Sequence, residues 1–421
     1  MQFFESSLYL LFVIMAFLMI VKKSVKSVYI LSVLLVGGAL FIAHLSFEDV
    51  RWQLYPLYIA LGVCGSFVYM KHGMQKTLGK KTKNAFMSVA FIFAGLFLAS
   101  FFAFPVYELP EPGGNHPIGT QSFVIEDEDR IEQYGDLSGT YRKFKIQTWY
   151  PAKTIEGYER MPWIEEGKTV TRALSRDIGL PYFFLDHTAD IMSHAYQGAP
   201  VSDSSDVYPV VILSHGWRGL KSIHTDYAEE LASRGFIVVG IDHTYGSVAT
   251  VMDGKSYYLD SEALPPRETT DNFLDHANRL VNTYASDITS TIDYLEAMKE
   301  GTYASVFSAA LDLSKIGLLG HSTGGGGGVY AALEDDRIKA VMGLDAWVEP
   351  IDGTTHYDFA MVYMYSPLTR LIGFSGSVDS ERLTPMLKSM ISTYFEATLA
   401  GDASYDIDEE KWDEVGKISI E

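Results

Sequence analysis

Residues Lys315–Trp347 read KIGLLGHSTGGGGGVYAALEDDRIKAVMGLDAW. An apolar run, Ile316–Gly320, is followed one residue later by Ser322, with Gly320 and Gly324 at −2 and +2 from the serine. A second apolar run, Ile338–Leu344, ends on Asp345. G-x-S-x-G after a strand and before a helix is the spacing of a nucleophile elbow, a turn so sharp that side chains at the two glycine positions would collide with neighbouring backbone. The turn exposes the serine oxygen above the sheet, at a helix N-terminus whose dipole favours developing negative charge. Isolated glycine turns produce the same letters by chance, so it is the strand and helix on either side that make Ser322 a candidate nucleophile.

Working outward, strand-like runs recur at Phe144–Tyr150, Val210–Ser214 and Ile237–Asp242, and helical patterns fall at Asp226–Arg234, Asn272–Lys299 and Gly327–Leu333. This alternation implies an α/β fold with a mostly parallel sheet covered on both faces. The strand VVILS runs into His215-Gly216-Trp217, where hydrolases of this architecture present a main-chain N–H opposite the one that follows the nucleophile. Trp217 and Thr323 are therefore the candidate oxyanion donors, and His215 reads as a structural histidine holding the loop. With the order Ser, Asp, His, His356 is the only histidine after Ser322 and so the candidate base. Asp345 is the acid best placed by strand logic; Asp352 and Asp358 compete with it. His187, His194, His224 and His243 show no HExxH or comparable ligand spacing, so neither metal nor other cofactor is expected. His243 is a candidate to line the pocket.

The first 106 residues differ in kind. Four apolar runs, Leu8–Val21, Val28–Leu45, Leu54–Met70 and Ala85–Tyr107, each approach the length that crosses a bilayer. The chain starts MQFFESS, an acid with no base ahead of the first run, which reads as a retained helix rather than a cleaved signal. Lys22, Lys23 and Lys26 lie between the first two runs, and Lys71, Lys76, Lys80, Lys81 and Lys83 between the last two. Basic loops stay cytoplasmic, so both termini and everything after Pro105 are expected outside, on an integral protein of the cell membrane. The expected organisation is a transmembrane region of about four helices over 1–106, a Pro/Gly-rich linker over 107–120 and the α/β domain over 121–421. The aromatic-rich stretch 152–200 reads as a cap over the site or a peripheral subdomain. Residues 1–106 hold 9 of the 33 Lys+Arg and 3 of the 53 Asp+Glu, leaving 24 against 50 in the remainder. That excess of acid argues against a nucleic-acid partner. The single cysteine, Cys64, excludes an intrachain disulfide.

At LPEPGGNHPIGTQSF, IQTWYPA, LSHGWRG, GIDHTYGS, GHSTGG and LDAW the chain resembles the platelet-activating-factor acetylhydrolase family, which includes the plasma lipoprotein-associated type; the likeness covers roughly residues 107–360. The resemblance implies an α/β-hydrolase in which Ser322 is nucleophile, Asp345 acid, His356 base within GTTHYDF, and Trp217 an oxyanion donor. Bacterial-type members with an N-terminal membrane region are similar in organisation. In the family a strand, a helix and a further strand separate acid from histidine, whereas here ten residues do, fewer than a βαβ crossover needs. Ten extended residues reach on the order of 30 Å, so the two side chains are still able to meet. The sheet is then expected to end at the acid-bearing strand, its edge covered by the last helical stretch, Leu368–Leu399, or by another chain. Gly326–Gly328 enter the helix, each at about 0.8–1 kcal/mol relative to alanine.

The expected activity is hydrolysis of a carboxylic ester, short-acyl phospholipid or related lipid by the resemblance, with the bilayer as the partner of residues 1–106. HSTGGGG is also similar to cutinase-like polyester hydrolases, in which the acid comes later in the chain. A hydrolase fold kept for binding or scaffolding is the alternative from another class. A transporter built on the four helices has little to rest on, since His44 is the ionisable residue within the runs and lies near a helix end.

Overall fold

The structure is a computed structural model that describes residues 3–21, 25–48, 50–205, 207–345, 355–376 and 380–401. The chain divides into two compact units, Met1–Pro105 and Val106–Glu421.

In the first unit the four apolar runs form α1 (Phe3–Ile20), α2 (Ser27–Phe47), α3 (Tyr55–Val68) and α4 (Lys80–Ala103). With α3 extended to Trp52–Gly73, each is long and apolar enough to cross a membrane, at window mean hydropathies of 2.2, 2.3, 1.3 and 2.2. Large apolar side chains such as Leu35 and Phe91 face outward. Two sets of polar side chains inside are paired. Glu5, which α1 takes in by starting ahead of Leu8, accepts two hydrogen bonds from Arg51 (3.0 and 2.5 Å), and the His44 ring bridges Glu48 (2.8 Å) and Tyr58 (2.5 Å). Lys22 and Lys23 lie outside the described residues.

The second unit runs β1 (Ile118–Ile131), β2 (Tyr141–Pro151), β3 (Arg160–Pro162), α5 (Lys168–Asp177), β4 (Met192–Gln197), β5 (Tyr208–Ser214), α6 (Thr225–Ser233), β6 (Ile237–Asp242), β7 (Ala249–Met252), β8 (Lys255–Tyr258), α7 (Phe273–Lys299), β9 (Leu311–His321), α8 (Thr323–Glu334), β10 (Ile338–Leu344) and α9 (Ser380–Phe395). Among the described residues the main sheet has the order β10-β9-β5-β6-β2-β1-β4-β3. Strands β10, β9, β5 and β6 are parallel, while β2 is antiparallel to both β6 and β1. Alternation along β5 sends Val211 and Leu213 to one face, against Tyr227, Ala228 and Leu231 of α6 and Met386, Leu387 and Ile391 of α9. Val210 and Ile212 go to the other, against Ile288, Ile292 and Leu295 of α7 and Ala331 of α8. The fold is that of an α/β-hydrolase, with helices on both faces of a mostly parallel sheet.

Among the described residues the sheet ends at β10, as the short link after Asp345 implies. Leu383, Met386 and Phe395 cover one face beside Leu319, Ala340 and Leu344; among the described residues no strand pairs with the outer edge of β10. Leu333, at the end of the neighbouring α8, is left 80% exposed. The covering helix starts later than the sequence pattern suggests, at Ser380, because residues 355–376 turn through one-turn helices instead. Residues 152–200 supply β3 and β4, which extend the sheet past β1. From the same stretch α5 packs Val170 and Ala173 with Trp163, Leu220, Met361 and Met364.

The glycine run has a packing reason. A Cβ at Gly327 would lie 2.8 Å from Tyr284 Cβ and 3.2 Å from the Ala285 nitrogen of α7, so the two helices meet at backbone distance. Gly327→Ala is expected to lower stability by about 1–3 kcal/mol despite alanine's better helix propensity, because overpacking outweighs it. A lower thermal midpoint with α-helical content retained would show this.

Candidate active site

The crossover through α6 places β6 on one side of β5, and the crossover through α7 places β9 on the other. The carboxyl ends of β5 and β9 therefore flank a topological switch point, where open α/β sheets leave a crevice. His215–Trp217 follow β5 there and Ser322 follows β9.

Ser322 adopts φ 52° and ψ −119°, a strained conformation that the surroundings must hold in place. Its N–H donates to Leu344 O (3.1 Å), and its carbonyl accepts from Gly326 N–H (3.1 Å). A Cβ at Gly320 would lie 2.5 Å from Gly324 O, and one at Gly324 would lie 2.2 Å from Ser214 O. Both elbow glycines are thus sterically required, and the elbow rests directly on the end of β5. A Cβ on Gly216 would in turn touch Ser322 Cβ at 2.9 Å. The main-chain N–H groups of Trp217 and Thr323 have no acceptor among the described residues, which leaves both available to a ligand.

Asp345 ends the parallel neighbour of β9, in register with the elbow through the pair Leu344–His321. Its carboxylate accepts a hydrogen bond from His356 Nδ1, with the ring 41% and the carboxylate 25% exposed. A proton on Nδ1 leaves Nε2 free to accept one. His356 opens a one-turn helix, His356–Ala360, closed by a capping box between Thr355 and Asp358. Asp358 is committed there, accepting from Thr355 N (2.7 Å) and Gly376 N (2.9 Å), and Asp352 lies outside the described residues. His321 backs His356, its ring centroid 4.6 Å away and its Nε2 donating to His356 O (3.3 Å). Burial, and then the charge of His356, push the His321 pKa down to about 4, so it is neutral at pH 7. Ser322 Oγ makes no hydrogen bond among the described residues; such contacts tighten when substrate binds. Beside His356, Tyr357 and Phe374 form an exposed aromatic pair, their rings 5.4 Å apart.

His243 does not line a pocket. It is fully buried, with both ring nitrogens taken by Asp287 and Ser214. His215 is held by Ser247 Oγ (2.8 Å) and Gly216 O (2.6 Å), as a loop-holding histidine would be. Sequence reasoning passed over Asp287, a buried acid that gathers Arg142, Arg130 and His243. The signal was present: Asp287 lies beside Tyr284, Ile288 and Thr291, on the apolar face of a long amphipathic helix. Among the described residues no three His, Cys, Asp or Glu side chains gather as metal ligands would.

The family described as platelet-activating factor acetylhydrolase, isoform II, matches residues 102–365. The chain belongs to this family. Platelet-activating factor acetylhydrolase of Canis lupus familiaris is 24% identical over 263 residues, 56% of each chain. That of Cavia porcellus is 26% identical over 170 residues, 36% of this chain and 38% of the relative. This chain spans a little over half the length of the first of these curated relatives and less of the second. Among solved structures, a ferulic acid esterase from Streptomyces cinnamoneus superposes with TM-score 0.57 at 22% identity, covering 72% of this chain and 96% of that one. At that identity the likeness concerns the fold.

Proposed function

We propose that this family member is a membrane-anchored serine ester hydrolase. The observation that carries the reading is the Asp345–His356 hydrogen bond, formed beside a strained serine elbow although only ten residues separate acid from base. Ser322 Oγ attacks the ester carbonyl as its proton passes to His356 Nε2, and Asp345 fixes the tautomer and stabilises the imidazolium. The N–H groups of Trp217 and Thr323 hold the oxyanion. His356 then protonates the leaving alcohol, and a water deprotonated by the same nitrogen releases the acid. No step requires a cofactor. The family supports a short-acyl phospholipid or a related ester as substrate. The exposed aromatic pair Tyr357 and Phe374 beside His356 suits an ester with an apolar chain, and the basic loops between the helices favour a domain on the outer side of the cell membrane.

The test is fluorophosphonate labelling of the full chain in lipid nanodiscs, followed by release of acetate from a short-acyl phospholipid. Labelling confined to Ser322, with turnover, is the expected result. A folded chain that neither labels nor turns over would make the elbow architectural and leave a binding or scaffolding role.

A further inference from the structure

A run of buried polar groups lies behind the oxyanion loop, and the hydrolytic steps do not use it. Asp287 of α7 accepts from Arg142 Nε and Nη2 (3.0 and 2.6 Å), Arg130 Nη2 (2.7 Å) and His243 Nδ1 (2.9 Å). Arg142 also reaches Glu132 and Thr244 O (3.0 Å). Arg130 also pairs with Asp127 (2.6 Å), and although burial alone would raise it, Arg142 and Arg130 hold the Asp287 carboxyl far below the usual range. With its Nδ1 proton committed to Asp287, neutral His243 accepts from Ser214 Oγ at Nε2 (2.9 Å). Its ring stacks on Tyr284 at 3.7 Å.

Ser214 is the last residue of β5, and the loop that follows carries Trp217. Its carbonyl oxygen is the atom that a Cβ on Gly324 would meet at 2.2 Å. The strand end that leads to one oxyanion donor is therefore packed against the elbow that carries the other. The loops are laced as well, by Arg218 N to Gly246 O (2.9 Å) and Val248 N to Gly219 O (3.0 Å). A buried ion cluster stabilises no better than apolar side chains of the same volume, and this one terminates on a single hydroxyl at the strand end. Building on the hydrolase reading, we propose that Asp287 and His243 are positioning residues that act through the Ser214 hydroxyl to fix the β5 end and aim the Trp217 N–H at the oxyanion.

Removing Asp287 would take from buried Arg142 one of its two carboxylate partners and from His243 Nδ1 its acceptor, so the informative change is Ser214→Ala, which deletes one hydroxyl and spares the ion cluster. In the full chain in nanodiscs, kcat for a soluble acetyl ester is expected to fall about 10-fold, a fraction of the loss of a whole oxyanion donor. KM and the thermal midpoint should hold. Affinity for a boronic acid, whose tetrahedral adduct places an oxygen in the same hole, should fall by the same factor, and Ser214→Thr should recover part of both. His243→Gln is expected to show the same split between kcat and KM. An active wild type with unchanged kcat in Ser214→Ala overturns this inference alone, as does a loss of kcat that tracks a lowered thermal midpoint. A wild type that is inert to ester and fluorophosphonate overturns the hydrolase reading and this inference with it.

Discussion

Ser322→Ala is expected to lower kcat/KM for ester hydrolysis by on the order of 10⁴-fold or more, His356→Ala by as much, and the double variant no further than either single one. The non-additivity is the informative part. Serine and histidine act as a unit, so once either is gone the other contributes nothing to proton transfer. The residual rate then reflects the oxyanion donors and binding. Asp345→Asn should cost about 10⁴-fold with little structural change, because an amide would favour the wrong imidazole tautomer. This last variant bears directly on the short acid-to-histidine connection. In the structure the acid reaches His356 Nδ1 from a backbone at φ 48°, and His321 supports the histidine from below. A silent Asp345→Asn, set beside an inactive His356→Ala, would mean that base and acid have become uncoupled in this shortened sheet.

How far the sequence discloses such a site depends on which interactions are local. The elbow was legible because its signature is compressed into five residues: a Cβ at Gly320 would meet Gly324 O within the turn itself, and one at Gly324 would meet the end of β5 that such a turn packs on. Strands β5, β6 and the second half of β9 were legible because strands buried on both faces are uninterrupted apolar runs, and β10, half-exposed at the edge, still carries a short apolar run. Strand β1 was not, since its second half, VIEDEDRI, is half-exposed and is ordered by pairing with β2 rather than by its own composition. Short β3 and β4 depend likewise on the neighbours they extend. The competition between Asp358 and Asp345 also lay beyond pattern: both acids are near His356 in sequence, and only the capping box at Thr355 shows where the Asp358 carboxylate is used. The polar chain from Arg142 to Ser214 joins residues far apart in sequence, and no period or spacing announces it. What did announce it was an exception, an acid at position 287 where the helix face calls for an apolar residue.

A second such exception sets the pH dependence of stability. Glu229→Gln is expected to stabilise the protein by about 2–4 kcal/mol near pH 9 and hardly at all near pH 5. Glu229 lies in α6, fully buried; one carboxylate oxygen accepts from His194 N (2.6 Å), and the other has no hydrogen-bond partner among the described residues. Burial pushes its pKa up to about 8, against an ordinary 4.5, despite that N–H and the charge of Lys388. Asp226, one turn earlier, is pushed up to about 7 by the same cause. His194 lies with Nδ1 3.8 Å away, but its own burial lowers its pKa, so it supplies no compensating cation at alkaline pH. The folded protein thus holds a proton that the unfolded chain has already released above about pH 4.5, and stability from this group falls as pH rises from there to about 8. Glutamine keeps the acceptor for His194 N–H and carries no proton to lose, so its advantage appears across that window. Thermal midpoints of the full chain at pH 5.5 and 8.5 test it: a gain about three times larger at the higher pH is expected, and Asp226→Asn should move the same way by less. A gain of equal size at both values would mean that the carboxyl is already ionised in the folded state at pH 5.5, and that the cost of burying it is met by a partner other than a proton.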